Sequence, residues 1–132
     1  MKILKIKLAT LSLCAIAVTS AQAAVILPGI QTNFGEGSLL ADGWTSLYRE
    51  NFGVTASIAD VFGGLKASDW IYMAGVRNSD NTVIAGAAIT YGEFTTYTGL
   101  NITRESNGAS WYYNGYSFGF TSLGDGISQT TA

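Results

Sequence analysis

The stretch 69–91, DWIYMAGVRNSDNTVIAGAAITY, constrains this chain more than any other. Two apolar runs flank Asn78-Ser79-Asp80-Asn81, residues that tolerate left-handed backbone and hydrogen-bond their own main chain, so a reversal belongs there and the whole stretch reads as a long β-hairpin. With a loop of two or four residues, Trp70 pairs with Ile89, Tyr72 with Ala87, Ala74 with Ala85 and Val76 with Val83. That face is wholly apolar. The other face carries Ile71, Met73, Gly75 and Arg77 with Thr82, Ile84, Gly86, Ala88 and Thr90, and is mostly apolar too. A hairpin apolar on both sides needs cover on both sides, which predicts a sandwich in place of a half-solvated meander.

Further on, residues 100–120 carry Asn107-Gly108 and Asn114-Gly115, each the preferred sequence for a two-residue type I′ loop. They predict a three-stranded meander in which Arg104 faces Trp111, Trp111 faces Phe118 and Tyr113 faces Tyr116. Leu100, Ile102, Trp111, Tyr113, Tyr116, Phe118 and Phe120 then share one face. Two readings of that face stand side by side. Trp111, Tyr113 and Tyr116, with Arg104, can form a platform that stacks on sugar rings; alternatively the same rings are the core, where aromatics supply most of the buried area open to a small domain. The exposure of Trp111 and Tyr113 separates the two. Arg104 beside Trp111 also suggests a cation–π pair.

The chain begins as an export leader would. Lys2, Lys5 and Lys7 precede an apolar run at 8–18, and Ala21-Gln22-Ala23 places small residues where a signal peptidase reads, which predicts a signal peptide over 1–23 cut after Ala23. The run is short of the ~20 residues a bilayer span needs. After cleavage four bases (Arg49, Lys66, Arg77, Arg104) stand against nine acids, a formal charge of −5. Nucleic acid and anionic membrane surfaces are poor partners for that balance. The mature region has no histidine, and the single cysteine, Cys14, lies in the leader. Disulfides, zinc sites of the Cys and His kind and imidazole-assisted nucleophiles are thereby excluded, and no cofactor is expected. Stability must come from packing alone.

Between leader and hairpin, residues 25–27 suggest a short strand ended by Pro28-Gly29, residues 33–37 a loop, and residues 45–49 a strand after irregular chain. At 57–65 the apolar residues Ile58, Val61, Phe62 and Leu65 follow helical spacing, with Ser57 able to cap the start and Gly63-Gly64 to end it, so one short helix is expected. Residues 94–98 suggest a Thr- and Tyr-rich strand. Residues 121–132 read as a polar loop or tail that stops short, as though a longer reading frame continued.

Among reactive groups only carboxylates remain, so an enzyme here would be a glycosidase using two of Glu36, Glu50, Glu93 and Glu105. Nothing in their spacing selects a pair. Lys66-Ala67-Ser68 lacks the helical spacing of a Ser–Lys hydrolase. Asn78, Asp80 and Asn81, or Asp125, offer oxygen ligands for calcium, but neither stretch matches an EF-hand or an RTX repeat, and no metal site is assigned.

The leader, the Cys-free mature region rich in Gly, Thr, Ser and aromatics, and strings such as DWIYMAGVRNSDNTVIAGAAITYGEF and GASWYYNGYSFGF resemble exported proteins of the PEP-CTERM class. Those look like surface or matrix proteins of Gram-negative bacteria. Members carry a C-terminal Pro-Glu-Pro motif, an apolar span and a basic tail; here the single proline is Pro28. The expectation from residues and resemblance together is a mainly β, antiparallel, sandwich-like single domain over 24–120. It would be exported to the cell surface or extracellular matrix as a structural or adhesive component without catalytic activity, its partners extracellular polysaccharide or other surface proteins. A carbohydrate-binding module is the alternative.

Overall fold

The computed structural model describes residues 11–18, 25–51, 57–115 and 117–126. The predicted hairpin is its centre: β4 (Trp70–Arg77) and β5 (Thr82–Thr90) pair antiparallel around a turn at 78–81. Asn81 takes a left-handed φ of 56°, and Asp80 Oδ1 accepts from the Thr82 backbone N–H at 3.0 Å. Next to the turn the predicted register holds, with Val76 opposite Val83 and Arg77 opposite Thr82. Beyond it a bulge between Gly75 and Val76 shifts the pairing by one residue. Trp70 therefore faces Thr90, Tyr72 faces Ala88 and Ala74 faces Gly86.

Packing explains the bulge. A Cβ at position 86 would lie 2.4 Å from the Tyr72 ring, so the ring occupies space that only glycine leaves, and its hydroxyl reaches Gln31 Oε1 at 3.1 Å. A one-residue shift moves side chains to the opposite face. Ala87 and Ile89 consequently join Ile71 and Met73, and Ala88 joins Tyr72 and Ala74.

Both faces of the hairpin are covered. On one side Ile71, Met73, Ala87 and Ile89 pack with Phe62, Phe94, Ala109 and Trp111. On the other, Tyr72, Ala74, Val76, Val83 and Ala88 pack with Leu39 and Trp44. The sheet is completed by β1 (Leu11–Val18), β2 (Phe34–Gly35) and β3 (Thr45–Asn51), in the order β2-β5-β4-β1-β3 with every pair antiparallel. β1 comprises residues that read as the apolar core of a leader; the expected cleavage point after Ala23 lies outside the described residues. A second sheet holds β6 (Arg104–Ser106), β7 (Ala109–Tyr113) and β8 (Phe118–Thr121). The chain is thus a mainly β, antiparallel single domain.

Among the described residues three short helices stand where one was expected. α2 (Ile58–Phe62) is the predicted one: Ser57 Oγ accepts from the Asp60 N–H at 3.0 Å, and Phe62 enters the core. α1 (Gly37–Ala41) turns Leu39 inward within chain expected to be irregular. α3 (Tyr91–Phe94) replaces the strand expected at 94–98. Thr90 and Glu93 form a reciprocal cap, the Glu93 N–H donating to Thr90 Oγ1 at 3.4 Å and the Thr90 hydroxyl to Glu93 Oε2 at 3.0 Å. Residues 25–27 form no strand; the chain there runs to an isolated bridge between Gln31 and Gly86.

Candidate functional site

The meander resolves the question its aromatics raised. Its first turn is the predicted one, with Asn107 and Gly108 at φ 46° and 77° and Arg104 opposite Trp111. The second differs. Trp111 faces Phe120 and Tyr113 faces Phe118, two residues beyond the expected register. A type I′ loop needs positive φ at both central residues, and only Gly115 of that pair adopts it. Asn114 is instead buried, its N–H donating to the Ser117 carbonyl at 3.1 Å and its Oδ1 accepting from the Ser117 N–H at 2.7 Å. The shift is even, so Trp111, Tyr113, Phe118 and Phe120 keep a common face.

That face is turned into the protein. Trp111 is 2% exposed, its indole N–H donating to the Ser106 carbonyl at 3.2 Å and its ring 5.2 Å from that of Phe120. Phe94, delivered by α3, is the hub: its ring centroid lies 5.3 Å from Phe118, 5.5 Å from Phe62, 6.4 Å from Tyr113 and 6.5 Å from Trp111. Tyr113 is half-buried. Arg104 directs its guanidinium to the Glu93 carbonyl, and its Nε is buried with no hydrogen-bond partner among the described residues. Tyr116 lies outside the described residues. Leu100 and Ile102, expected on the aromatic face, are exposed instead, at 66% and 57%. They sit with exposed Tyr97 on the loop between α3 and β6, bent by Gly99 (φ 95°) and Asn101 (φ 56°).

The four glutamates are scattered. Glu36 is buried and paired with Arg49. Glu93 is held by Thr90 and by Ser106, whose hydroxyl donates at 2.9 Å. Glu50 and Glu105 are exposed on different sheets. The turn residues considered for calcium hold the hairpin: Arg77 donates to Asp80 at 2.9 Å, and Asn78 to Asn51 Oδ1 at 3.0 Å.

On the opposite side of the sheet, side chains from β2, α1 and β4 and the loops beside them surround a half-open cleft of about 390 Å³. Phe34, Leu39, Trp44 and Tyr72 form its apolar wall, Val25 and Leu27 its rim, and Thr32, Ser38 and Asp42 its polar margin. Trp44 is turned inward by Gly43 (φ 96°) and meets Tyr72 edge to face, with centroids 5.4 Å apart. Burial raises the Tyr72 hydroxyl above the ordinary tyrosine range. Gln31 closes the base, its Nε2 donating to the Pro28 and Gly29 carbonyls, each at 2.9 Å. Three aromatic rings, aliphatic side chains at the wall and rim, and one carboxylate suit a small, largely apolar ligand with a hydroxyl or amine at one end.

Comparison with family models, curated proteins and solved structures finds no match. The candidate site therefore rests on its own chemistry.

Proposed function

We propose that the chain is an exported structural or adhesive component of a bacterial cell surface or extracellular matrix, and that it acts without catalysis. The observation that carries this reading is the exposed apolar loop of Tyr97, Leu100 and Ile102 on a domain that otherwise spends its aromatics on packing. Apolar side chains grouped on one exposed loop mark a contact surface. The leader-like N-terminus, the acidic mature balance and the resemblance to PEP-CTERM proteins support the same reading.

Its test is fractionation of cells making the full chain with its own N-terminus. The expected result is outer-surface or matrix-associated material beginning at Ala24, released when Tyr97, Leu100 and Ile102 are all changed to Ser while the fold persists. Retention of uncut chain in the cytoplasm would refute the export reading.

The cleft supports a second reading, carbohydrate or small-ligand binding, relocated from the buried Trp111 to the pocket beside Trp44. Glycan-array binding lost in Asp42→Ala, an exposed position where folding is not at stake, is the expected result; an array without binding removes this reading.

A further inference from the structure

The strand that joins β4 to the edge strand β3 in the larger sheet is the one whose sequence reads as the apolar core of a leader. β1 pairs with β4 from Leu11 opposite Arg77 to Val18 opposite Trp70 with no break in register, while its pairing with β3 slips between Ala15 and Ile16. A chain cut after Ala23 loses this strand. The whole outer edge of β4 then loses its backbone partners, and β3 loses the neighbour that joins it to the sheet.

β4 lacks the devices by which edge strands avoid pairing. It is eight residues long, has no proline and carries no charge before Arg77. Ile71, Tyr72, Met73, Ala74 and Val76 are buried, some on each face. Two segments could replace β1 there: β3, or β4 of a second copy. β3 is antiparallel to β1 and so parallel to β4, and would pair by slanted, weaker hydrogen bonds. Six of its seven residues are exposed, among them Arg49 and Glu50. Side-chain hydrogen bonds also tie it to the hairpin turn, from Arg49 to Asn81 Oδ1 at 2.8 Å and between Asn78 and Asn51. A second β4 is antiparallel by two-fold symmetry and apolar on both faces. It also brings its own covering layers, so both layers of the sandwich continue across the join.

We propose that removal of the leader exposes β4 as a self-pairing edge, and that the mature protein is a two-fold dimer built on a continuous β2-β5-β4-β4-β5-β2 sheet. The proposal rests on the export reading above and names the partner as a second copy of this chain.

The test uses exported material from a Gram-negative host, weighed intact and sedimented. The expected result is a chain starting at Ala24 that sediments as two copies. In Gly75→Lys the new Cβ has 4.0 Å to its nearest neighbour among the described residues, the Ala85 carbonyl, so the backbone accepts a Cβ there, and the lysine places a charge in each paired edge. That variant is expected to sediment as a monomer. A peptide of residues 11–18 flanked by lysines, added to the wild-type dimer in excess, is expected to cover β4 again and release monomers; this arm decides should the variant not fold. A cleaved monomer, a higher assembly, or a dimer that neither change dissociates overturns the proposal. Uncut chain refutes the export reading and the dimer with it, since β1 then keeps the edge covered, and the measured mass distinguishes that failure from a cleaved monomer.

Discussion

Residue by residue, the structure turns on close approaches that single side chains permit. Gly86 lies under Tyr72, and an added Cβ would stand 2.4 Å from the Tyr72 ring carbon and 2.5 Å from its hydroxyl. Gly86→Ala is therefore expected to cost about 1–3 kcal/mol by overpacking, read as a lowered denaturation midpoint at unchanged slope. Tyr72 also governs alkaline stability. Burial raises its folded pKa above the ordinary value of 10.0, so the unfolded chain releases that proton first. The contribution is complete below pH 10 and declines as pH rises toward the folded pKa, by about 1.4 kcal/mol per pH unit. Tyr72→Phe should flatten that decline in urea titrations above pH 10, leaving the part due to Tyr112, which burial also raises against a lowering hydrogen bond from Ser117. An unchanged slope would place the alkaline transition elsewhere. Trp111→Ala removes the largest ring of the meander from a site 2% exposed, and should destabilise the protein by about 3–5 kcal/mol.

For the elements, local turn and cap chemistry was legible in the sequence wherever it acted alone. Asn107-Gly108 makes its hairpin with the expected partners, and Ser57 caps α2 as its position implies. Asn114-Gly115 has the same letters and a different outcome, because burial of Asn114 and its bonds to Ser117 outweigh the two-residue loop. The bulge in β5 left no local trace, since its cause joins Tyr72, Gly86 and Gln31 from three segments. α3 did leave one: Thr90-x-x-Glu93 is a capping box, masked by strand-like composition on either side. Ser57→Ala should cost about 1 kcal/mol of stability. At the hairpin turn, the Thr82 hydroxyl and N–H, with Arg77, hold the Asp80 carboxyl below its ordinary range. A lowered folded pKa gives stability that is present above the unfolded value near pH 4 and fades as pH falls through the folded one. Asp80→Asn should accordingly weaken the protein at neutral pH and reduce its loss of stability in acid, as followed by circular dichroism.

For the molecule as a whole, two apolar faces on one hairpin foretold a covered sheet, and the covers are what the sequence left ambiguous. An aromatic strand face has the same alternation whether it meets a sugar or a core. Only the docking of Phe94 between the two sheets, from a helix that composition disguised, decides for the core. The cleft beside Trp44 was illegible for a similar reason: its walls come from residues 25–44 and from Tyr72, with no motif linking them. The meander's aromatics are structural, Trp111 being 2% exposed with its ring packed against Phe94 and Phe120. Acrylamide quenching of tryptophan emission tests this most directly. In a chain with Trp44 and Trp70 changed to Phe, the remaining Trp111 is predicted to emit at short wavelength and resist quenching until the protein unfolds; red-shifted emission quenched as readily as free tryptophan, in a chain still folded by circular dichroism, would contradict the claim.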